Sequence, residues 1–308
     1  MNRFTINLLL TFLFAPSLLP ETAIARSQEL AATQSANSKQ NIGSEPEKEN
    51  TMSAEKPIVL VVGASGSVGR LAVAEAFRKG YETKALVRDP AQAKLFPDGV
   101  QIIVGDLTRA DTLHDAVTGV TAIVFTHGIG GNDPKGAEQV NYGAVRNVLS
   151  VLKAPARIAL MTTVGVTKPT VGHDWKRRGE RLVRASGLSY TIVRPGWFDY
   201  NAADQHHLVL RQGDTHWAGS PSDGVIARAQ IAQVLVASLT SPAANRKTFE
   251  LVAQKGSAQS DLEPLFSSLS TDPADGYDAI RDRDNLPLAK EPSTVVGDID
   301  NVRGRFKN

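Results

Sequence analysis

The seven residues Gly63-Ala64-Ser65-Gly66-Ser67-Val68-Gly69 carry the strongest chemical signal in the chain. Their glycines are spaced G-x-x-G-x-x-G, directly after the apolar run Ile58 to Val62 and at the head of a helical stretch, Val68 to Lys79. A strand that turns through such a loop into a helix offers free backbone N–H groups and the positive end of a helix dipole to an anion. Gly63 permits the sharp turn, Gly66 puts no side chain in the way of a pyrophosphate, and Gly69 lets helix and strand pack closely. Ser65, Ser67 and Val68 complete the cradle. A plain glycine-rich turn needs no strand before it and no helix after it, so the context points to a dinucleotide.

The end of the second strand, Leu86-Val87-Arg88-Asp89, falls where the adenosine ribose must lie. A carboxylate there selects the 2′-hydroxyl of NAD(H), and a cation selects the 2′-phosphate of NADP(H). Arg88 occupies the position next to the ribose, and Arg70, just past the third glycine, can approach the same phosphate. Two guanidinium groups suit a dianionic phosphate, so NADP(H) is expected ahead of NAD(H), with Asp89 as the competing feature. Asp106-Leu107 follows the third strand. Asp106 suits either the adenine amino group or the start of a helix. His127, in Thr126-His127-Gly128 after the fourth strand, falls on the carboxyl edge of the sheet, along the path of the cofactor.

The elements that carry these residues alternate. Strands are read at Ile58–Val62, Glu82–Val87, Gln101–Val104, Thr121–Phe125, Arg157–Met161, Tyr190–Val193 and Thr248–Val252. Helices are read at Val68–Lys79, Thr108–Val117, Ala137–Leu152, Trp175–Ser186 and Ile226–Leu239, with a short one at Leu262–Leu269. This is the pattern of an α/β fold, a doubly wound Rossmann parallel sheet, here with a small C-terminal substrate-side cap. The ordered domain spans 57–308, with the C-terminal extension beginning at about residue 197. Gln212 to Trp217 belongs to the cap, and the Asp-, Gly- and Pro-rich tail from Thr271 loops over the domain surface.

Composition narrows the function classes. A net charge of +2 gives no field to recruit nucleic acid, and the absence of cysteine removes disulfides, thiolate metal sites and cysteine nucleophiles. His206, His207 and His216 lack the spacing of a metal set. Lys176-Arg177-Arg178 with Arg181 and Arg184 makes a basic helix, read as a solvated face. At the N-terminus, Arg3, the apolar stretch Ile6 to Leu19 and Ala23-Ile24-Ala25 have the form of a signal peptide cut after Ala25, implying export and no membrane span afterwards. Residues 26–56 are polar and read as a disordered linker. A natural start at Met52 would instead leave a cytoplasmic protein, and N-terminal sequencing separates the two.

Gly63 to Gly69, Asp106-Leu107, Asn141-Tyr142-Gly143 with Arg146-Asn147-Val148-Leu149, and Tyr190 through Gly196 together resemble the atypical short-chain dehydrogenase/reductases, in their NmrA-like or NAD(P)H-binding subset. The resemblance implies a Ser/Thr, a Tyr and a Lys at the reaction centre, the last two spaced Y-x-x-x-K. Thr163 matches the first and Lys176 the last, but Gly172 stands where the tyrosine belongs. His173 is the best substitute acid, followed by His127 and Tyr200. With no strong acid, the expected reaction is NADPH-dependent reduction of a small acceptor such as a quinone. The alternatives are a non-catalytic NADP(H)-binding module that signals to a protein partner, and a sugar-nucleotide epimerase. The choice of cofactor gives a direct expectation: NADPH binds with a lower dissociation constant than NADH, and fluorescence titration showing equal affinities or tighter NADH contradicts it.

Overall fold

A computed structural model describes residues 56–131 and 133–306. The expected leader, the linker up to residue 55 and the alternative start at Met52 lie outside the described residues. The strands are β1 (Ile58–Val62), β2 (Glu82–Val87), β3 (Gln101–Val104), β4 (Ala122–Phe125), β5 (Arg157–Met161), β6 (Tyr190–Pro195), β7 (Trp197–Phe198), β8 (His207–Arg211), β9 (Val225–Ile226) and β10 (Lys247–Gln254). The helices are α1 (Ser67–Arg78), α2 (His114–Val117), α3 (Pro134–Gly136), α4 (Gly143–Val151), α5 (Val171–Ala185), α6 (Arg228–Ser238), α7 (Glu263–Ser267) and α8 (Ser293–Val302).

Eight strands make one sheet in the order β3-β2-β1-β4-β5-β6-β10-β8, while β7 and β9 pair in a separate ribbon. All pairings in the large sheet are parallel except β10 with β8. Alternate residues of β1 serve the two faces, as the period of two requires. Val59 and Val61 pack with α1 and α6, whereas Leu60 and Val62 pack with α4, α5 and α8. Both faces are therefore covered, and β1 reads as an unbroken apolar run for that reason. The winding direction reverses between β1 and β4, which opens a crevice at the carboxyl ends of the strands.

Three expected elements differ. The helix read at Thr108–Val117 is a 3-10 turn at Ala110–Thr112 followed by the single turn of α2. The Thr112 hydroxyl receives the Asp106 N–H at 2.9 Å and so folds the chain back before a longer helix can start. The helix read at Ala137–Leu152 is a π-helical turn, Ala137–Tyr142, running into α4. The wider turn brings in Asn141, whose amide receives the Ile129 N–H at 2.8 Å and donates to the Ile129 carbonyl at 3.2 Å. Helix α5 begins at Val171, capped by the Thr170 hydroxyl on the His173 N–H, which places Gly172, His173 and Lys176 in its first two turns.

The basic helix and the acidic tail require the largest correction. The arginines of α5 do not form a solvated face: Arg177, Arg181 and Arg184 are 1%, 2% and 6% exposed. The tail from Thr271 crosses the surface as turns and coil up to α8, and it also supplies their partners. Asp278 binds Arg177 at 2.8 Å and Arg181 at 2.6 Å, Glu291 binds Arg181 at 2.7 Å and Arg178 at 2.6 Å, and Asp272 lies 3.4 Å from Arg184. The tail then forms α8, which buries Val295, Ile299 and Val302. Arginine suits these places because its planar fork can bond two carboxylate oxygens at once.

At the centre lies Glu180, with 0% exposure. It accepts hydrogen bonds from Arg194 Nη2 at 2.6 Å, Arg194 Nε at 3.0 Å and Thr162 Oγ1 at 2.7 Å. The second face of the Arg194 guanidinium holds Asp282 through two bonds of 2.7 Å. Burial alone would raise the Asp282 pKa, but the Arg194 charge and hydrogen bonds prevail and hold it at about 2. Because the folded-state pKa is depressed, the contribution is complete above the unfolded carboxylate range and is lost as pH falls through the folded value. Removing one partner of a buried pair costs about 3–5 kcal/mol, since the other charge stays buried. Asp282→Asn is therefore expected to lower stability by about 3 kcal/mol at neutral pH. The variant should also lose less further stability than the wild type between about pH 4 and about pH 2, as followed by denaturant unfolding. Equal acid sensitivity in the two proteins would contradict this role.

Candidate functional site

The crevice forms a trough with two clefts and a cavity along the sheet's carboxyl edge. The first cleft, of ≈ 280 Å³, lies over β2, β1 and β4. Gly63, Ser65, Gly66, Arg88, Asp106, Leu107 and His127 all line it. The second cleft, of ≈ 540 Å³, shares Gly66 and His127 with the first and adds Ser67, Val68, Thr163, Gly172, His173 and Lys176. Beyond it a cavity of ≈ 430 Å³ shares Thr163, His173 and Phe198 and is walled by Trp197, Tyr200 and Trp217. The sequence-selected residues are thus gathered along one path, from Arg88 at one end to Thr163 and His173 at the other.

Two residues stand off it. Arg70 is exposed on α1 and lines neither cleft. Gly69 packs inward, where an added Cβ would come within 2.1 Å of the Gly63 carbonyl oxygen. Asp89 is turned away to cap the following 3-10 helix, accepting the Ala91 N–H at 2.9 Å, while Arg88 faces the first cleft. Asp106 accepts from the Thr108 N–H at 2.9 Å and hydroxyl at 2.8 Å, and these bonds lower its pKa. It remains a charged acceptor at the cleft wall.

Local chemistry fits a dinucleotide. The N-cap of α1 is Gly66, with no side-chain cap and no acid in the first turn, so the helix leaves its N–H groups to the trough. Gly63 has φ +81°, and a Cβ there would lie 2.7 Å from the His127 nitrogen. Glycine is therefore needed both for the turn and for the close approach of the two loops. The His127 ring is 7% exposed, and burial, aided by the Lys176 charge, pushes its pKa down to about 3. Its Nδ1 is buried with no hydrogen-bond partner among the described residues. A buried polar atom of this kind costs free energy until a ligand or water meets it.

The reactive end is set by α5 and the strand-β5 loop. Gly172 and Lys176 are four residues apart and share a helix face. Burial lowers the Lys176 amine to about 8, with the Glu180 charge opposing. Lys176 makes no direct ion pair with Glu180 at i,i+4 among the described residues, and its amine lies beside Gly128. Burial also lowers the His173 pKa, and its Nδ1 lies 3.3 Å from the Lys168 carbonyl. At Gly172 an added Cβ would meet only the Gly131 carbonyl, at 3.4 Å, so the place of the absent tyrosine is open.

Sequence reading missed several residues here. Asp214 is fully buried and accepts the Gly165 and Thr167 N–H groups at 2.6 Å each, fixing the loop after Thr163. Lys168 and Arg228 line the cavity. Their partners lie far along the chain, so no local pattern marks them. Among the described residues, no helix is long and apolar enough to cross a membrane.

Comparison with known proteins agrees with this geometry. The family model described as NAD(P)H-binding matches residues 63–242, more than half of the chain. A photosystem II assembly factor of Cyanophora paradoxa is 27% identical over 69% of this chain and 68% of its own. The sanguinarine reductase of Eschscholzia californica is 27% identical over 71% of this chain and 98% of its own. A solved structure from Bacillus halodurans superposes with a TM-score of 0.56 at 23% identity. It covers 68% of this chain and 99% of its own, and at that identity the likeness speaks for the fold.

Gly66 provides a test that separates fold from site. A Cβ there meets only the Gly63 carbonyl oxygen, at 3.2 Å, while the residue faces both clefts. Gly66→Val is expected to shift Tm by no more than about 3 °C and to raise the NADPH dissociation constant at least about tenfold. Unchanged binding would remove the trough as the cofactor site.

Proposed function

Since this chain belongs to the NAD(P)H-binding family, we propose that it is an NADPH-dependent reductase of a quinone or similar small acceptor, working without the tyrosine of the related enzymes. The observation that carries the reading is the shared wall at Thr163 and His173, where the second cleft opens into an aromatic-lined cavity. A ligand in the cleft and one in the cavity meet along this wall, which Phe198 completes. Bound NADPH supplies the hydride.

The residues then have these roles. Gly63, Ser65, Gly66, Ser67 and Val68 cradle the pyrophosphate, while Gly69 keeps α1 close to the loop. Arg88 holds the 2′-phosphate, favouring NADP(H) over NAD(H), because Asp89 is engaged in its cap. Arg70 would have to reorient to join it. Asp106 and Leu107 bound the adenine, and His127 lines the trough where the two clefts join. Lys176 holds the nicotinamide ribose and sets a positive charge beside the reaction centre. Thr163 orients the acceptor oxygen. His173 delivers a proton when protonated, and burial, which lowers its pKa, disfavours that form. An acceptor that needs little protonation help, such as a quinone, matches that supply.

A second reading is favoured by Gly172 and by the likeness to an assembly factor: the protein binds NADP(H) and reports its state to a protein partner. Turnover separates the two. The wild type should oxidise NADPH with a simple quinone, with kcat/KM falling as pH rises through about 8, where Lys176 loses its charge. Lys176→Ala should lower turnover at least about 100-fold while NADPH still binds. Undiminished turnover would take Lys176 out of the mechanism. Cofactor binding without oxidation by quinones, flavins or aldehydes would favour the second reading.

A further inference from the structure

Arg228 opens α6 at the rim of the acceptor cavity and reaches across to the glycine loop. Its Nε donates to the Ser67 hydroxyl at 3.0 Å, over 161 positions of sequence. Ser67 is the first residue of α1, at the helix end that offers free N–H groups to the trough. The guanidinium rests on the Phe198 ring, 5.2 Å from its centroid, and Phe198 lines both the second cleft and the cavity. Arg228 thus stands where the cofactor trough and the acceptor cavity meet.

Asp199 holds it there. One carboxylate oxygen accepts the Arg228 backbone N–H at 3.0 Å and the other accepts Nη1. Asp199 has φ +58°, a left-handed conformation that costs a non-glycine residue energy unless its surroundings enforce it. Those two bonds and the Ser67 bond use the backbone N–H, Nη1 and Nε. Nη2 has no hydrogen-bond partner among the described residues. The side chains of Arg228 and Asp199 are 33% and 51% exposed, so the pair is accessible to an incoming ligand.

We propose that Arg228 is a phosphate-binding residue for the dinucleotide, held ready by Asp199 and closing on the nicotinamide-side phosphate next to Ser67. The proposal rests on the reading of the trough as an NADP(H) site. A guanidinium already bonded to Ser67 lies within reach of any anion at the α1 N-terminus, and its free Nη2 can add a charge-assisted bond to a phosphate oxygen. The same movement would draw Phe198 and the start of α6 toward the cofactor. Arg228 would then couple occupancy of the trough to the shape of the cavity beside it.

The test uses two ligands that differ in the part Arg228 should contact. NADPH carries the complete pyrophosphate, whereas adenosine 2′,5′-bisphosphate has the adenosine half and lacks the nicotinamide-side phosphate. Arg228→Gln is expected to raise the NADPH dissociation constant about tenfold, with the bisphosphate constant changing less than about twofold, both read by calorimetry on the full chain. Arg228→Lys should recover part of the loss, because it restores the charge without the fork. Asp199→Asn, which keeps an acceptor for the Arg228 backbone N–H but loses the carboxylate that holds Nη1, should weaken NADPH binding by less than Arg228→Gln does. Unchanged NADPH affinity in Arg228→Gln, with only a lower Tm, would show that the residue merely ties α6 to α1 and would overturn the proposal. So would equal weakening of both ligands. Failure of the wild type to bind either ligand would instead sink the NADP(H) reading itself.

Discussion

The buried carboxylate of Glu180 is the interaction on which the reactive half of the molecule depends. It ties α5, through its own position, to the ends of β5 and β6, through Thr162 and Arg194; the two strands are already joined to each other by their backbone ladder, and the carboxylate fixes the helix against both. Thr163 follows Thr162 directly, and Lys176 lies one helical turn before Glu180. The distance between the proposed acceptor-orienting hydroxyl and the proposed ribose-binding amine is therefore set by one charge cluster. Such a cluster is costly to desolvate and leaves its side chains little conformational freedom once formed. Hydrophobic packing alone would fix these elements less narrowly, since apolar contacts are non-directional.

The cluster is completed by the far end of the chain. Arg194 needs Asp282 on its other face, and the α5 arginines need Asp272, Asp278 and Glu291. The tail is thus a structural counter-charge for the site helix. This also explains why α5 tolerates so many cations and still lies buried against β5 and β6. Lys176 differs from its arginine neighbours. It faces the trough, has no carboxylate bonded to it among the described residues, and loses basicity through burial. Position on the helix separates the arginines paired with the tail from the lysine that faces the trough.

Much of this was legible in the sequence, and the physical reasons are specific. The strands of a parallel sheet are buried on both faces, so β1 and β5 read as apolar runs, and the glycine loop is local to a dozen residues. Arg88, Asp106 and His127 are expected at the crevice because each follows a strand end, whereas Thr163, His173 and Lys176 are expected from the family resemblance. What could not be read depends on partners far apart in the chain. The arginines of α5 have the periodicity of an exposed face, and their acids lie about a hundred positions later in a segment whose composition resembles a loop. The π turn before α4 keeps a helical pattern of apolar residues, so periodicity did not reveal it. Arg228 and Asp214 are single polar residues whose partners lie, respectively, in the glycine loop and after β5.

On the proposed reading, the trough, the buried His127, the uncapped α1 and the open place beside Gly172 make a dinucleotide site without the tyrosine that the resemblance implies. The central claim is that one cofactor lies along the whole path, with its reactive ring at the mouth of the aromatic cavity. The most direct measurement is a crystal structure of the protein grown with NADPH. The account predicts the 2′-phosphate against Arg88, the ribose of the nicotinamide within hydrogen-bond distance of Lys176, and the ring facing the cavity between Thr163 and His173. A cofactor bound with its nicotinamide end at Arg88, or turned away from that cavity, would contradict it.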